Sequence, residues 1–164
     1  QITYSYMIKT KSLVTLILLE LLKKNKVAVV CGILSGTLAS LTGIFVLCML
    51  FGFNHQQYVT MLPKSITTAI GIGISEELGG IVTITVAVII ITGILGNVIA
   101  DTVFHIFKIK NPLAKGLALG TASHAIGTAR AIEMGPVEGA MSSLAVAVAG
   151  LLTVVFVSGF AQLI

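Results

Sequence analysis

The sequence predicts an all-α, multi-pass membrane protein with about three full transmembrane helices and two broken, re-entrant helical segments related as an inverted repeat. Three observations carry this expectation. The chain is far more apolar than a soluble domain, it contains three long uncharged runs, and a short polar, glycine-containing unit occurs twice, each time ahead of one of those runs. Hydrophobic residues make up 56% of the 164 positions and charged residues 10%, with a mean hydropathy of +1.08. Soluble domains carry roughly 25% charged residues, so the lipid bilayer is the first partner the composition implies.

Residues 1–26 read as a basic, interfacial N-terminal segment, and residues 27–164 as the transmembrane domain. Lys9 and Lys11 precede an apolar stretch, Leu13–Leu22, and Glu20, Lys23, Lys24 and Lys26 follow without a small-residue cleavage site, so the pattern is not that of a signal peptide. Leu13–Leu22 is also shorter than the roughly 20 residues a spanning helix requires. Val27–Phe51, Ile81–Ala100 and Ala140–Ile164 do meet that length without a charge. Lysines recur at Lys108, Lys110 and Lys115, and the positive-inside rule puts both lysine groups in the cytoplasm. Val27–Phe51 then runs outward and Ile81–Phe107 inward, leaving 61–78 no full crossing. Lys64 and Glu76 bracket a stretch that, as a helix at about 1.5 Å per residue, covers only about 18 Å of a roughly 30 Å core. A broken segment that dips in from outside, hinged at Gly71 and Gly73, satisfies both constraints; such backbone is tolerated at membrane depth only inside protein or along a cavity.

The same unit returns at an offset of 56 residues. SITTAIG (65–71) falls on TASHAIG (121–127), Glu77 on Glu133 and Gly79 on Gly135, and each copy is followed by a long apolar run. One dip plus one span per unit makes the two copies insert with opposite orientation, the plan in which interrupted segments of secondary transporters meet at a midplane site. In the second copy, Gly120 and Gly127 are the expected hinges. Half-helix N-termini attract anions, and the polar residues Lys64, Ser65, Thr67 and Thr68 of one dip and Thr121, Ser123, His124, Thr128 and Arg130 of the other form the expected binding site for a small carboxylate. Plainer roles remain open to several of them. Arg130 is also placed to pair with Glu133, Lys64 to snorkel to the interface, and His124 to act as a hydrogen-bonded packing residue. Asp101 and His105, four residues apart, are expected to bond each other.

Gly32, Gly36, Ser40 and Gly43 form one small-residue stripe and Ala140, Ser143, Ala147 and Gly150 another, faces suited to close helix packing within the chain or in a homo-oligomer. The net charge of +4 resides in loops and gives no nucleic-acid signature. Cys31 and Cys48 lie in one helix about 25 Å apart, beyond disulfide reach. No metal-ligand spacing, nucleophile elbow, phosphate loop or dinucleotide fingerprint occurs, so neither enzymatic activity nor a metal or cofactor is expected.

In order along the chain, LPKSITT, ISEELGGI, TGILGNV, KGLALGTASHAIGTARAIEMG and VEGAMSSLA resemble the LrgB/CidB family of bacterial membrane proteins. The resemblance is strong over Leu62–Leu151 and weak over 20–60. It implies location in the bacterial plasma membrane and an antiholin-like role, modulating murein hydrolase export and cell lysis with a holin-like partner of the LrgA/CidA type. Through related proteins, among them pyruvate carriers and the plastid glycolate/glycerate translocator, it also implies movement of small monocarboxylates, the function the residues themselves favour. Family members carry an earlier, proline-containing apolar portion without counterpart here, so the resemblance leaves three expectations open: a fragment truncated at its N-terminus, a misassigned start or a degenerate copy. They also tend to have Pro at the position of Ala69.

Overall fold

The structure, a computed structural model, describes residues 20–164. The expected interfacial segment over 1–26 therefore lies mostly outside the described residues. Residues 20–24 are helical and run through a turn at Asn25 into α1, Lys26–Phe51. The remaining helices are α2, His55–Met61; α3, Thr68–Glu77; α4, Val82–Ile106; α5, Pro112–Met134; and α6, Pro136–Ala161. The described residues contain no strand. Helices α1, α4 and α6 are long and apolar enough to cross a membrane; at about 1.5 Å per residue each exceeds the roughly 30 Å hydrocarbon core. Helix α3, with 10 residues, covers about half of it.

Local chemistry explains the element ends. Gly52, at φ 66, closes α1 in the left-handed conformation, and the Phe53 amide bonds back to Cys48 O at 2.9 Å, a glycine C-cap. Asn54 and Gln57 form a reciprocal capping box at the start of α2, satisfying two free amides. Asn111 caps α5 ahead of Pro112, and Pro136 opens α6; both prolines sit in the first turn, where a missing N–H costs nothing.

Contacts at the helix ends fix the directions of the spans. Thr60 of α2 accepts the Ile81 amide at the start of α4, while the Tyr58 hydroxyl donates to Phe160 O near the end of α6 at 2.8 Å. The start of α4 and the end of α6 therefore share one face of the membrane. At the other face, the end of α4 meets α5 through Asp101 and Arg130, and Gly139 at the start of α6 lies against Ile132. Helices α4 and α6 are antiparallel. Helix α1 is parallel to α6, since Val29 and Ile33 pack with Met141, and Leu41, Ile44 and Cys48 with Val157.

Both dips are helical hairpins. In α5, the backbone breaks at His124 (φ 42, ψ −137), and contacts with α6 mirror each other about that residue. Gly116 and Ile132 flank the first turns of α6, and Gly120 and Thr128 both lie against Ser142. The chain goes in to His124 and comes back. The first hairpin, α2–loop–α3, is bridged in the same way. The Thr85 hydroxyl donates to Thr60 O at 2.9 Å on one limb and meets the Ser75 hydroxyl at 2.8 Å on the other.

The two units interlock through their isoleucines. Ile70 packs against Gly150 of the second unit's span, where an added Cβ would come within 2.9 Å of Ile70 Cδ1. Ile126 packs against Gly93 of the first unit's span, where the corresponding distance is 2.8 Å. Equivalent residues exchanging partners, with α4 and α6 antiparallel, is the relation an inverted repeat requires.

Two sequence expectations need correction. The glycines are not the hinges. Gly71 and Gly73 lie inside a regular α3, and the first break occupies 62–67 around Pro63. Gly120 and Gly127 are helical, and the second break is at His124. Their role is close approach: a Cβ on Gly120 would lie 2.7 Å from Ala145 Cβ, and one on Gly71 would overlap Ile89. The stripe expected on α6 is also rotated. Ser143 and Ala147 are exposed, whereas Ser142, Ala145, Ala149 and Thr153 face inward. Gly32 and Gly36 do pack closely, against Leu117 and Thr121 of the same chain, but Gly43 meets nothing.

Candidate functional site

A cavity of about 690 Å³ lies between α1, the ingoing limb of α5 and the 62–67 loop. Asn25 and Asn111 line it at the lysine-rich end; Ser35, Ser40, Lys64, Ser65 and Thr121 supply its other polar groups. Helix α1 leaves room because Gly32, Gly36 and Ala39 present almost no side chain, and α5 because Ala114, Ala118 and Ala122 do likewise. The cavity thus reaches the tip of the first hairpin from the lysine-rich end, opposite that hairpin's base.

The Lys64 ammonium donates to Ser65 Oγ at 2.7 Å and reaches Ser40 Oγ at 3.3 Å, and the Ser40 hydroxyl donates to Ser65 Oγ at 2.9 Å. Among the described residues, no carboxylate stands within 4 Å of Lys64. An amine held by two hydroxyls rather than by an acid leaves an anion free to become its charged partner. Helix α3 begins just beyond, its N-cap Thr67 making no side-chain cap bond, so its positive end adds to the field.

Of the residues singled out by sequence, Lys64, Ser65 and Thr121 line this cavity together. Thr121 also bonds its own helix at Leu117 O. Thr67 and Thr68 start α3, half-buried and outside the cavity lining. Ser123, on the other side of α5, lines a small apolar crevice beside Gly96. His124 is buried, with Nε2 2.9 Å from Ile89 O and its ring against Gly93. Thr128 bonds His124 O at 2.9 Å and Ser142 Oγ at 2.8 Å. Arg130 pairs with Asp101 across elements and with Glu133 Oε2 at 2.6 Å within its own limb. Asp101 thus turns to Arg130, not to His105.

His124, Thr128 and Asn97 form the support of the second break. The Asn97 amide donates to Ile126 O at 3.0 Å, so carbonyls freed by the kink find side-chain partners, as hydrocarbon surroundings demand. Ser40, Asn97, Thr85 and Ser142 were not singled out as polar site residues. Ser40 appeared only as a packing residue; the signal that would have found it is its place on the same helix face as Gly32 and Gly36. Among the described residues no three His, Cys, Asp or Glu side chains gather as a metal site.

Antiparallel spans, opposed helical hairpins and a cavity reaching Lys64 define an integral membrane protein of inverted-hairpin architecture. The LrgB-like family profile matches residues 17–163, and the chain belongs to that family. The antiholin-like protein LrgB of Bacillus subtilis (strain 168) is 40% identical over 143 residues, covering 87% of this chain and 62% of the relative. The antiholin-like protein LrgB of Bacillus cereus (strain B4264) is 41% identical over 139 residues, covering 85% and 60%. That of Bacillus anthracis (strain CDC 684 / NRRL 3495) gives the same figures, 41% over 139 residues with 85% and 60%. The chain spans about three fifths of the length of these relatives. No solved structure matches it. Its three apolar spans make it a multi-pass membrane protein, in keeping with a bacterial plasma-membrane location.

Proposed function

We propose that the chain forms the membrane core of an antiholin-like component that restrains a holin-like partner of the LrgA/CidA type, and with it murein hydrolase export. The observation that carries this reading is the common description of its relatives as antiholin-like, at about 40% identity along most of this chain. Association would use a helix face free of internal packing, and Gly43 on α1, where an added Cβ meets no atom within 4 Å, marks one. The test is autolysis and co-purification in cells producing this chain with a holin-like partner. Restrained lysis and a stable complex, both lost in Gly43→Leu at unchanged protein level, are expected. Unaltered lysis together with no complex overturns the reading.

A second reading, movement of small monocarboxylates of the pyruvate or glycolate type, is supported by one specific observation: the Lys64–Ser65–Ser40 cluster on the polar cavity. A carboxylate would replace the serine hydroxyls on the Lys64 ammonium, with the α3 N-terminus behind it. Uptake of labelled pyruvate or glycolate by vesicles is the test. Charged hydrogen bonds contribute about 1.5–3 kcal/mol, so Lys64→Gln is expected to reduce uptake roughly tenfold or more, and Ser40→Ala less. Equal uptake by Lys64→Gln and the parent removes this site. Lysis effects that disappear when the carboxylate is omitted from the medium would make lysis a consequence of transport.

A further inference from the structure

Two further cavities flank the ingoing α5 limb, one of them sharing Ala118 and Ala122 with the wall of the Lys64 cavity. The first, about 450 Å³, is at the lysine-rich end of α4 and includes Lys108, Lys110 and Lys115 in its lining. The second, about 220 Å³, is an apolar crevice between α4 and α5 lined by Gly96, Ile99, Val103, Ala118 and Ala122 among others. Phe104 lines both. Three cations thus stand at the mouth of an apolar slot that runs toward the membrane interior.

Among the described residues, none of the three lysines is paired with an acid, and Lys115 is packed against an aromatic ring. Lys108 adopts φ 53 and closes α4, with the Ile109 amide bonding Phe104 O at 2.8 Å, at a position where glycine is the usual occupant. The Lys115 ammonium stands 5.7 Å from the centre of the Phe104 ring, at the junction of the two cavities. Among the described residues none of the three lysines has a carboxylate within 4 Å, and the one acid in the lining, Asp101, is engaged by Arg130. His105 completes the polar rim. Ile106 and Phe107 beside them are 65% and 72% exposed, which puts the site at the lipid boundary.

We infer that these cavities form a binding site for an anionic glycerophospholipid, its phosphate among Lys108, Lys110 and Lys115 and one acyl chain in the Gly96–Ala122 crevice. Basic pockets between transmembrane helices on the cytoplasmic side suit acidic headgroups. The adjoining slot separates this ligand from soluble phosphate, which has no tail to place there. The site includes none of Lys64, Ser65 and Ser40, though Ala118 and Ala122 wall both cavities.

The experiment is native mass spectrometry of the full chain released from mixed phosphatidylglycerol and phosphatidylcholine, counting retained lipids. Preferential retention of phosphatidylglycerol is expected. Each near-surface lysine contributes an attraction equivalent to about fivefold in binding. The combined variant Lys108→Gln, Lys110→Gln, Lys115→Gln should therefore lower that preference at least tenfold, with arginine at the same three positions restoring it. The same change at Lys23, Lys24 and Lys26 should leave the preference within about twofold. Ile99→Trp, which fills the crevice without touching a cation, should also reduce retention, and excess glycerol phosphate should not displace the lipid. Retention surviving the loss of Lys108, Lys110 and Lys115, or an equal loss in the Lys23–Lys26 control, overturns the proposal, as does displacement by glycerol phosphate or normal retention in Ile99→Trp.

Discussion

His124 Nε2 lies 2.9 Å from the backbone oxygen of Ile89, joining the break in α5 to the first third of α4. The bond sits where the second hairpin turns, at a residue whose φ of 42 and ψ of −137 fall outside the regions open to most side chains. Strain and hydrogen bond are therefore coupled: the imidazole compensates for the backbone conformation it occupies.

This coupling predicts different outcomes for two substitutions. His124→Ala loses the bond and keeps the strain, which costs of the order of 1–3 kcal/mol. His124→Gly loses the bond but relieves the strain, and should lie roughly 1 kcal/mol above His124→Ala in stability. Thermal unfolding of the two variants in detergent orders them; an alanine variant as stable as the parent would contradict the role.

The exchange of Ile70 and Ile126 between the two units makes the spans sensitive to small residues at two matching points. Gly150→Val should destabilise the protein by about 1–3 kcal/mol through overpacking, and Ile70→Ala should recover much of that loss in the double variant. Gly93→Val should behave similarly but be rescued less by Ile126→Ala, because His124 also occupies that surface. Gly43→Val, with open space around it, is the control and should be nearly neutral. A double-variant cycle with no coupling between Gly150 and Ile70 would sever the two units.

Accessibility separates the hairpin's origin from the side on which its tip is reached. His55, at the start of α2, should as cysteine react with membrane-impermeant thiol reagents from the external face. Ser65→Cys, at the tip of the same hairpin, should be labelled from the cytoplasmic face through the cavity leading past Asn111 and Ser35. Labelling of both positions from one face only would show that the cavity does not conduct reagents to Lys64. Cys31→Ser and Cys48→Ser provide the background.

The Arg130 pairs differ in reach. Asp101 lies on α4, whereas Glu133 lies on the same limb as Arg130. Asp101→Asn should therefore loosen the return limb and speed thiol labelling at Ser142→Cys, the position under Thr128, while Glu133→Gln changes it little. Raising the salt concentration should reduce the difference, because both acids are largely exposed and exposed charges are screened. Equal labelling rates in the two variants would remove the clamp.

What the sequence by itself determined is the environment and the count of spans. The uncharged runs Val27–Phe51, Ile81–Ala100 and Ala140–Ile164 are local properties, because a bilayer sorts segments by length and polarity whatever lies beside them. The opposed dips were legible for the same reason: lysine positions and the 56-residue repeat leave the segments before α4 and α6 no complete crossing. The tertiary structure alone decided where the breaks fall and which polar groups meet. Gly71, Gly73, Gly120 and Gly127 read as hinges, yet a glycine inside a packed hairpin serves close approach when a neighbouring helix needs the space. Its partners Ile89 and Ala145 are distant in sequence. His124 becomes the break because Ile89 O, Asn97 and Thr128 take up the groups a kink would otherwise leave unbonded. Ser40 joins Lys64 and Ser65 for the same physical reason, since a hydrogen bond across 25 residues depends on the angle at which α1 meets the first hairpin, and no local pattern encodes that angle.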